Sequence, residues 1–186
     1  GLAMYALKEE VGEAAVNRAL QKLLAQFAFK PAPYPASTDF LRLLRAEVDS
    51  SKHSFIADLF EKITLYDLKA SAPKVQQRSD GKFDVRFTVQ ANKFYADGKG
   101  KETESPLSET FEIGAFSDEP AKKGYGPKSV LALQRVVLTS GSQEVYLVTE
   151  SPPSFVGVDP FNVRIDRNSN DNLAKVYSSS SVALKK

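Results

Sequence analysis

The spacing of apolar residues changes once along this chain, near Ile63, and that change constrains what it can fold into. Before it, apolar residues recur every three to four positions; after it, they alternate. A helix repeats at 3.6 residues and a strand at 2, so one segment cannot satisfy both. The 186 residues therefore divide into a helical first third and a β-rich remainder.

In the helical part, Leu2, Tyr5 and Ala6 share a face, and Gly12 is placed to end that helix in the left-handed conformation. No Ser, Thr, Asp or Asn precedes Leu2 as a cap, so the chain is expected to open inside a helix whose upstream neighbours are missing. A second helix carries Ala15, Val16, Ala19, Leu20, Leu23, Leu24 and Phe27 on one stripe, with Asn17, Arg18, Gln21 and Lys22 opposite. Pro31, Pro33 and Pro35 forbid helix and mark a stiff connector. Ser37, Thr38 and Asp39 offer a cap for a helix bearing Phe40, Leu41, Leu43 and Leu44. Ser50 or Ser51 offers another, ahead of Phe55, Ile56, Leu59, Phe60 and Ile63. The truncated face of the first helix, with Leu2, Met4, Tyr5 and Leu7, is expected to be exposed and available for self-association.

In the β-rich part, Phe83, Val85, Phe87, Val89 and Ala91 alternate with Asp84, Arg86, Thr88 and Gln90, the pattern of a half-buried antiparallel strand. Phe111, Ile113 and Ala115 alternate likewise. Ser79-Asp80-Gly81, Asp97-Gly98 and Ser140-Gly141 read as turns, and residues 120–128 as a loop. Many short strands between turns predict a β-sandwich. The fold class is α+β, with a helical segment at 1–66, an antiparallel sandwich at 67–177 and a flexible tail at 178–186.

Charge and composition exclude several function classes. The net charge is +2; it is −1 through Asp67 and +3 beyond, so neither part carries a nucleic-acid footprint. With no Cys, disulfides and thiolate metal sites are excluded. No apolar run reaches the length of a membrane span, so direct membrane insertion is not expected.

Candidate chemistry is sparse. His53 is the only His, without a partner at helical spacing, and reads as a surface or capping residue. No H-E-x-x-H, G-x-G-x-x-G or Walker pattern occurs. Asp166, Asn168 and Asn170 alternate like the start of a calcium loop, but Asp171 stands where the sharp-turn Gly belongs and Tyr177 where the bidentate Glu belongs. The stretch reads as a turn network, with Asp166, Asn168 and Asn170 capping backbone N–H groups and Arg164 and Arg167 supplying positive charge beside the carboxylates. Glu9 and Glu10 read as a solvated helix end, Glu102 and Glu104 as solvated residues beside a turn. We assign no catalytic, cofactor-binding or metal-ligating residue.

Several stretches resemble a known family. GLAMYALKEEVGE at 1–13 with VNRAL at 16–20 resembles the helices after the catalytic Tyr of aminopeptidase N-like zinc metallopeptidases. PYPASTD at 33–39 and DLFEKITLYD at 58–67 resemble the bacterial branch fused to membrane segments of an ABC-transporter-type permease. YADGKGKETESP at 95–106 and DPFNVRIDRN at 159–168 resemble the β-domain of that branch. The resemblance implies that the zinc ligands and the catalytic Tyr lie upstream of Gly1, so zinc belongs to the parent protein alone. It implies that the helices end a thermolysin-like catalytic domain, which an Ig-like sandwich braces. The partner it implies is the upstream catalytic domain of the same chain, with the parent in a bacterial inner membrane and this region extracytoplasmic. The expected function is that of a non-catalytic C-terminal fragment. The alternatives are a sandwich module that binds a transporter-associated partner and has no peptidase activity, and a free-standing calcium-dependent adhesive domain.

Overall fold

The computed structural model describes residues 1–177; the stretch 178–186, read above as a flexible tail, lies outside the described residues. Among the described residues, four α-helices precede eight strands: α1 Leu2–Val11, α2 Glu13–Phe27, α3 Ser37–Arg45, α4 His53–Phe60, then β1 Ile63–Gln77, β2 Phe83–Ala96, β3 Glu102–Ser105, β4 Ser108–Phe116, β5 Val130–Thr139, β6 Gly141–Thr149, β7 Phe155–Val158 and β8 Leu173–Lys175. Among the described residues, no helix is long and apolar enough to cross a membrane. The chain divides into two compact units, one comprising Gly1–Thr64 and Tyr95–Thr103, the other Leu65–Phe94 and the residues from Glu104 onward.

In the first unit, α1 and α2 meet at Gly12. Its φ of +86° and ψ of 145° lie in a region open only to glycine, so the chain turns there without the left-handed α conformation expected from sequence. Asp39 sits in the first turn of α3 and reaches back to accept the Ala36 N–H at 2.9 Å, half of a capping box. The buried cluster of this unit contains Leu7, Val16, Ala19, Leu41, Leu43, Leu44 and Ile56, with Met4, Leu23, Leu59 and Phe60 packed at its margin.

Three expectations about burial fail here. Leu7 is fully buried rather than part of an open face, while Leu2 and Tyr5 are exposed. Ile63, expected on the helical stripe, begins β1 and is exposed, because α4 ends at Phe60. On α2 the stripe is only half used: Ala15, Val16 and Ala19 are buried, whereas Leu20 and Leu24 face solvent.

The second unit is a pair of sheets. One contains β1, β2, β3 and β6, with β2 central; the other runs β5-β4-β7-β8. β2 pairs antiparallel with β6, Phe83 opposite Thr149 through Ala91 opposite Gly141. β4 pairs antiparallel with β5 and β7. Inward residues of both sheets, including Leu68, Val85, Phe87 and Val89 from one and Phe111, Ile113, Leu138 and Val156 from the other, form a single buried cluster. This is the arrangement of a β-sandwich. The alternation read along β2 gives the correct inward face, although Phe83 at its start is only half-buried.

Candidate functional site

Two clusters of polar side chains stand out, one in each unit. In the helical unit, Asp58 lies on α4, with its side chain 4% exposed. Lys62, one turn later, donates from Nζ to Asp58 Oδ1 at 2.9 Å. Tyr95, near the end of β2, donates its hydroxyl to the same oxygen at 2.9 Å, and Lys62 Nζ lies 3.0 Å from that hydroxyl. The ammonium also sits 4.2 Å from the Tyr95 ring centroid. Thr64 donates its hydroxyl to the Asp58 carbonyl at 2.9 Å, which fixes the step from α4 into β1.

Hydrogen bonds to Tyr95 and then Asp58 hold the Lys62 ammonium above its ordinary value. A nucleophilic or base lysine needs the opposite shift, toward the free amine. The Asp58 carboxylate already receives two donors on one oxygen. The cluster thus clamps the 95–103 hairpin to α4. An open depression of about 300 Å³ beside it is lined by Tyr95, Ala96, Asp97, Lys101 and Thr103. Asp97 Oδ1 in its wall accepts the N–H groups of Lys99 and Lys101 at 2.7 and 3.1 Å, which spends that carboxylate on the turn.

In the sandwich, Glu109 on β4 accepts from Tyr66 at 2.9 Å and from Lys93 Nζ at 2.8 Å. The Arg164 guanidinium stands 3.9 Å away at Nε and donates to the Thr110 carbonyl at 3.3 Å. It also lies against the Tyr66 and Phe111 rings, 5.9 and 5.3 Å from their centroids. Lys93 and Arg164 are both buried. Charges this far from water persist when paired and hydrogen-bonded. The cluster joins β1, β2, β4 and the 159–167 segment, and it leaves the Glu109 carboxylate enclosed by donors.

The segment after β7 is organised by two carboxylates. Asp159, at a φ of +43°, accepts the N–H groups of Val163 and Arg164 at 3.0 and 2.9 Å. Burial pushes its carboxyl up to about 6, against the lowering effect of those two bonds and of Arg164. Asp166 accepts the Asn168 N–H at 3.0 Å and the Leu68 N–H at 3.2 Å. Its pKa is also raised, chiefly by burial. Residues 165–167 run beside β1 as a one-residue parallel bridge, with the Tyr66 N–H donating to the Ile165 carbonyl and the Arg167 N–H to the Tyr66 carbonyl.

The turn network read from sequence around Asp166 is present, with different members. Asn168 provides no side-chain cap to the 3-10 turn that follows it. Arg167 lies over the Phe94 ring at 4.1 Å. His53 Nε2 lies 3.0 Å from the Arg45 carbonyl; since a carbonyl only accepts, that nitrogen carries the proton. Glu10 departs from expectation. It is not solvated but pairs with Lys52 at 2.7 Å, its side chain 9% exposed. Glu102 and Glu104 are exposed on β3.

Sequence reasoning missed both polar clusters. Asp58, on α4, and Lys62, just past its end, are four apart in sequence, a visible signal, but Tyr95 and Glu109 are joined to their partners only by the sheet. Among the described residues, no group of three or more His, Asp or Glu side chains is placed to hold a metal ion. No protein-family model matches the chain, and no curated protein matches it.

Proposed function

We propose that this chain is the non-catalytic C-terminal part of a membrane-linked, aminopeptidase-like zinc metalloprotein. The helical unit completes a thermolysin-like catalytic domain, and an Ig-like sandwich braces it. The parent reaction is hydrolysis of an N-terminal peptide bond, in which zinc polarises the carbonyl and activates water. The parent sits in a bacterial inner membrane with this region extracytoplasmic.

One observation carries the reading. The stretches that resemble the family supply several members of the polar clusters. Asp58 and Lys62, from 58–67, bond to Tyr95, from 95–106. Asp159, Arg164 and Asp166, from 159–168, bond to one another's backbone or to β1 and β4. A family likeness that includes residues holding the fold fits a bracing role. Leu2 and Tyr5, exposed on α1, supply an apolar surface that the catalytic domain would cover.

The test is to express the chain alone and joined to its native upstream sequence, then measure release of the N-terminal residue from short peptides with added zinc. The chain alone stays at background. The joined form binds zinc, and Leu2→Asp with Tyr5→Asp loosens the docking of the two parts. If separately purified upstream domain neither binds this chain nor gains stability from it, the bracing role is wrong. The sandwich-module alternative is favoured by β5, an edge strand with Leu133 and Val137 exposed; it predicts a partner bound by the sandwich alone.

A further inference from the structure

The end of α2 and the connector after it have an unusual surface. Phe29 is fully exposed at 109% of its reference area, Tyr34 is 77% exposed and Leu24, on the last turns of α2, is 63% exposed. Phe29 is held at a φ of +60°, a region that bulky residues rarely occupy. The Lys30 N–H donates to the Phe27 carbonyl at 3.3 Å, so the chain turns tightly at the point where Phe29 projects. Pro31, Pro33 and Pro35 then stiffen the path to Tyr34. Ordinary packing explains none of these exposed side chains.

Charge around this tip is one-sided. From position 14 to 45 the sequence has five basic residues, Arg18, Lys22, Lys30, Arg42 and Arg45, and a single acidic one, Asp39. Glu47 pairs with Arg18 and Lys22, Asp39 lies 3.6 Å from Arg42, and Glu61 pairs with Arg45. Those pairs engage the other four cations, so the charge at the tip is that of Lys30, with no acidic residue between positions 24 and 34.

We propose that the 24–34 tip docks on the interface of an anionic phospholipid bilayer. Aromatic rings at the headgroup level and lysines against anionic lipid are the two elements of such binding. A second copy of the chain suits the tip less well. Like charges would face each other across a two-fold, and three side chains fall far short of the roughly 1,200 Å² that stable protein pairs bury. The contact is peripheral, made by a loop rather than a span. It does not depend on the peptidase-like reading, since it needs neither zinc nor an upstream domain.

Co-sedimentation of the chain with phosphatidylcholine vesicles, with and without phosphatidylglycerol, tests it. Binding is expected with the anionic lipid, falling as salt is raised. Phe29→Ala with Tyr34→Ala should lower partitioning by about tenfold, and Lys30→Glu by about fivefold or more. All three side chains are exposed, so the melting temperature should not change and loss of fold is distinguishable from loss of binding. Absence of binding to anionic vesicles overturns the proposal, as does binding that the aromatic double variant leaves intact. A lipid-free dimer that the same variant dissolves assigns the tip to self-association instead.

Discussion

The ring of Phe116 lies over Gly114, two positions back on the same face of β4: a Cβ at Gly114 would stand 2.3 Å from Phe116 Cζ and 3.2 Å from Leu133 Cδ1. Phe116 is wholly buried, although it points away from the sandwich interior. Edge-on contacts with Tyr125 and Phe161, at 6.2 and 6.3 Å, hold it in place. The glycine is needed there for space, not for backbone freedom. Gly114→Ala should therefore destabilise the sandwich by about 1–3 kcal/mol, the usual cost of overpacking. Urea unfolding measures it. Adding Phe116→Leu should make the alanine substitution cheaper than it is in the native background; strictly additive effects would show that the ring is not the obstacle.

The Asp58 carboxylate joins Lys62 and Tyr95, and its burial makes it the costliest member to lose. Asp58→Ala strands two donors in the first unit and should cost about 1–3 kcal/mol. Tyr95→Phe removes the hydroxyl's bonds to Asp58 and Lys62 and should cost about 1–2 kcal/mol. Because both act on one oxygen, the double variant should cost less than the sum. Additivity in thermal unfolding would show that the two groups act separately.

The sequence made some of this legible and concealed the rest, for identifiable reasons. Strand β2 was readable because one face is core and the other solvent, so Val85, Phe87 and Val89 alternate cleanly with polar residues. β4 was half readable: Phe111, Ile113 and Ala115 face the main core, but Gly114 and Phe116 are buried on the other face too. A strand covered on both faces loses its alternation. The α2 stripe overpredicts burial because periodicity reports which face is apolar, not whether a neighbour covers it. Leu24 has the right phase and remains exposed. The Glu109 cluster gathers residues from position 66 to 164, a separation no local pattern reveals.

Burial of Asp159 sets a pH dependence. Its folded pKa is raised to about 6 from an ordinary value of about 3.9, so folding favours the protonated carboxyl. The stabilisation is full below about pH 4 and is lost as pH rises through about 6. The groups facing it are the Val163 and Arg164 N–H donors, the Arg164 charge and the Asp166 carboxylate. Unfolding free energy should fall by about 1–3 kcal/mol between those limits on account of this group. Asp159→Asn should flatten the profile. Asp166, shifted in the same direction by burial, should leave a smaller residual slope. A native profile that rises from pH 4 to 6, and an identical one in Asp159→Asn, would contradict this assignment.

Calcium should not stabilise the chain, despite the oxygen-rich run from 166 to 172. A calcium loop turns its carboxylate oxygens toward the ion. Here Asp166 Oδ1 accepts from Asn168 and Oδ2 from Leu68. The first bond closes a local turn. The second ties that turn to β1, beside the parallel bridge at Tyr66. Asp166 thus links a segment near the end of the described chain to the strand that begins the sandwich. Asp166→Ala removes both acceptors and should cost about 1–3 kcal/mol, while Asp166→Asn, which keeps one, should cost less. Millimolar calcium should leave the melting temperature of the native chain where it is. A rise of several degrees that disappears in Asp166→Ala would mean that the carboxylate serves an ion before it serves the backbone, and would revive the calcium-dependent adhesive alternative.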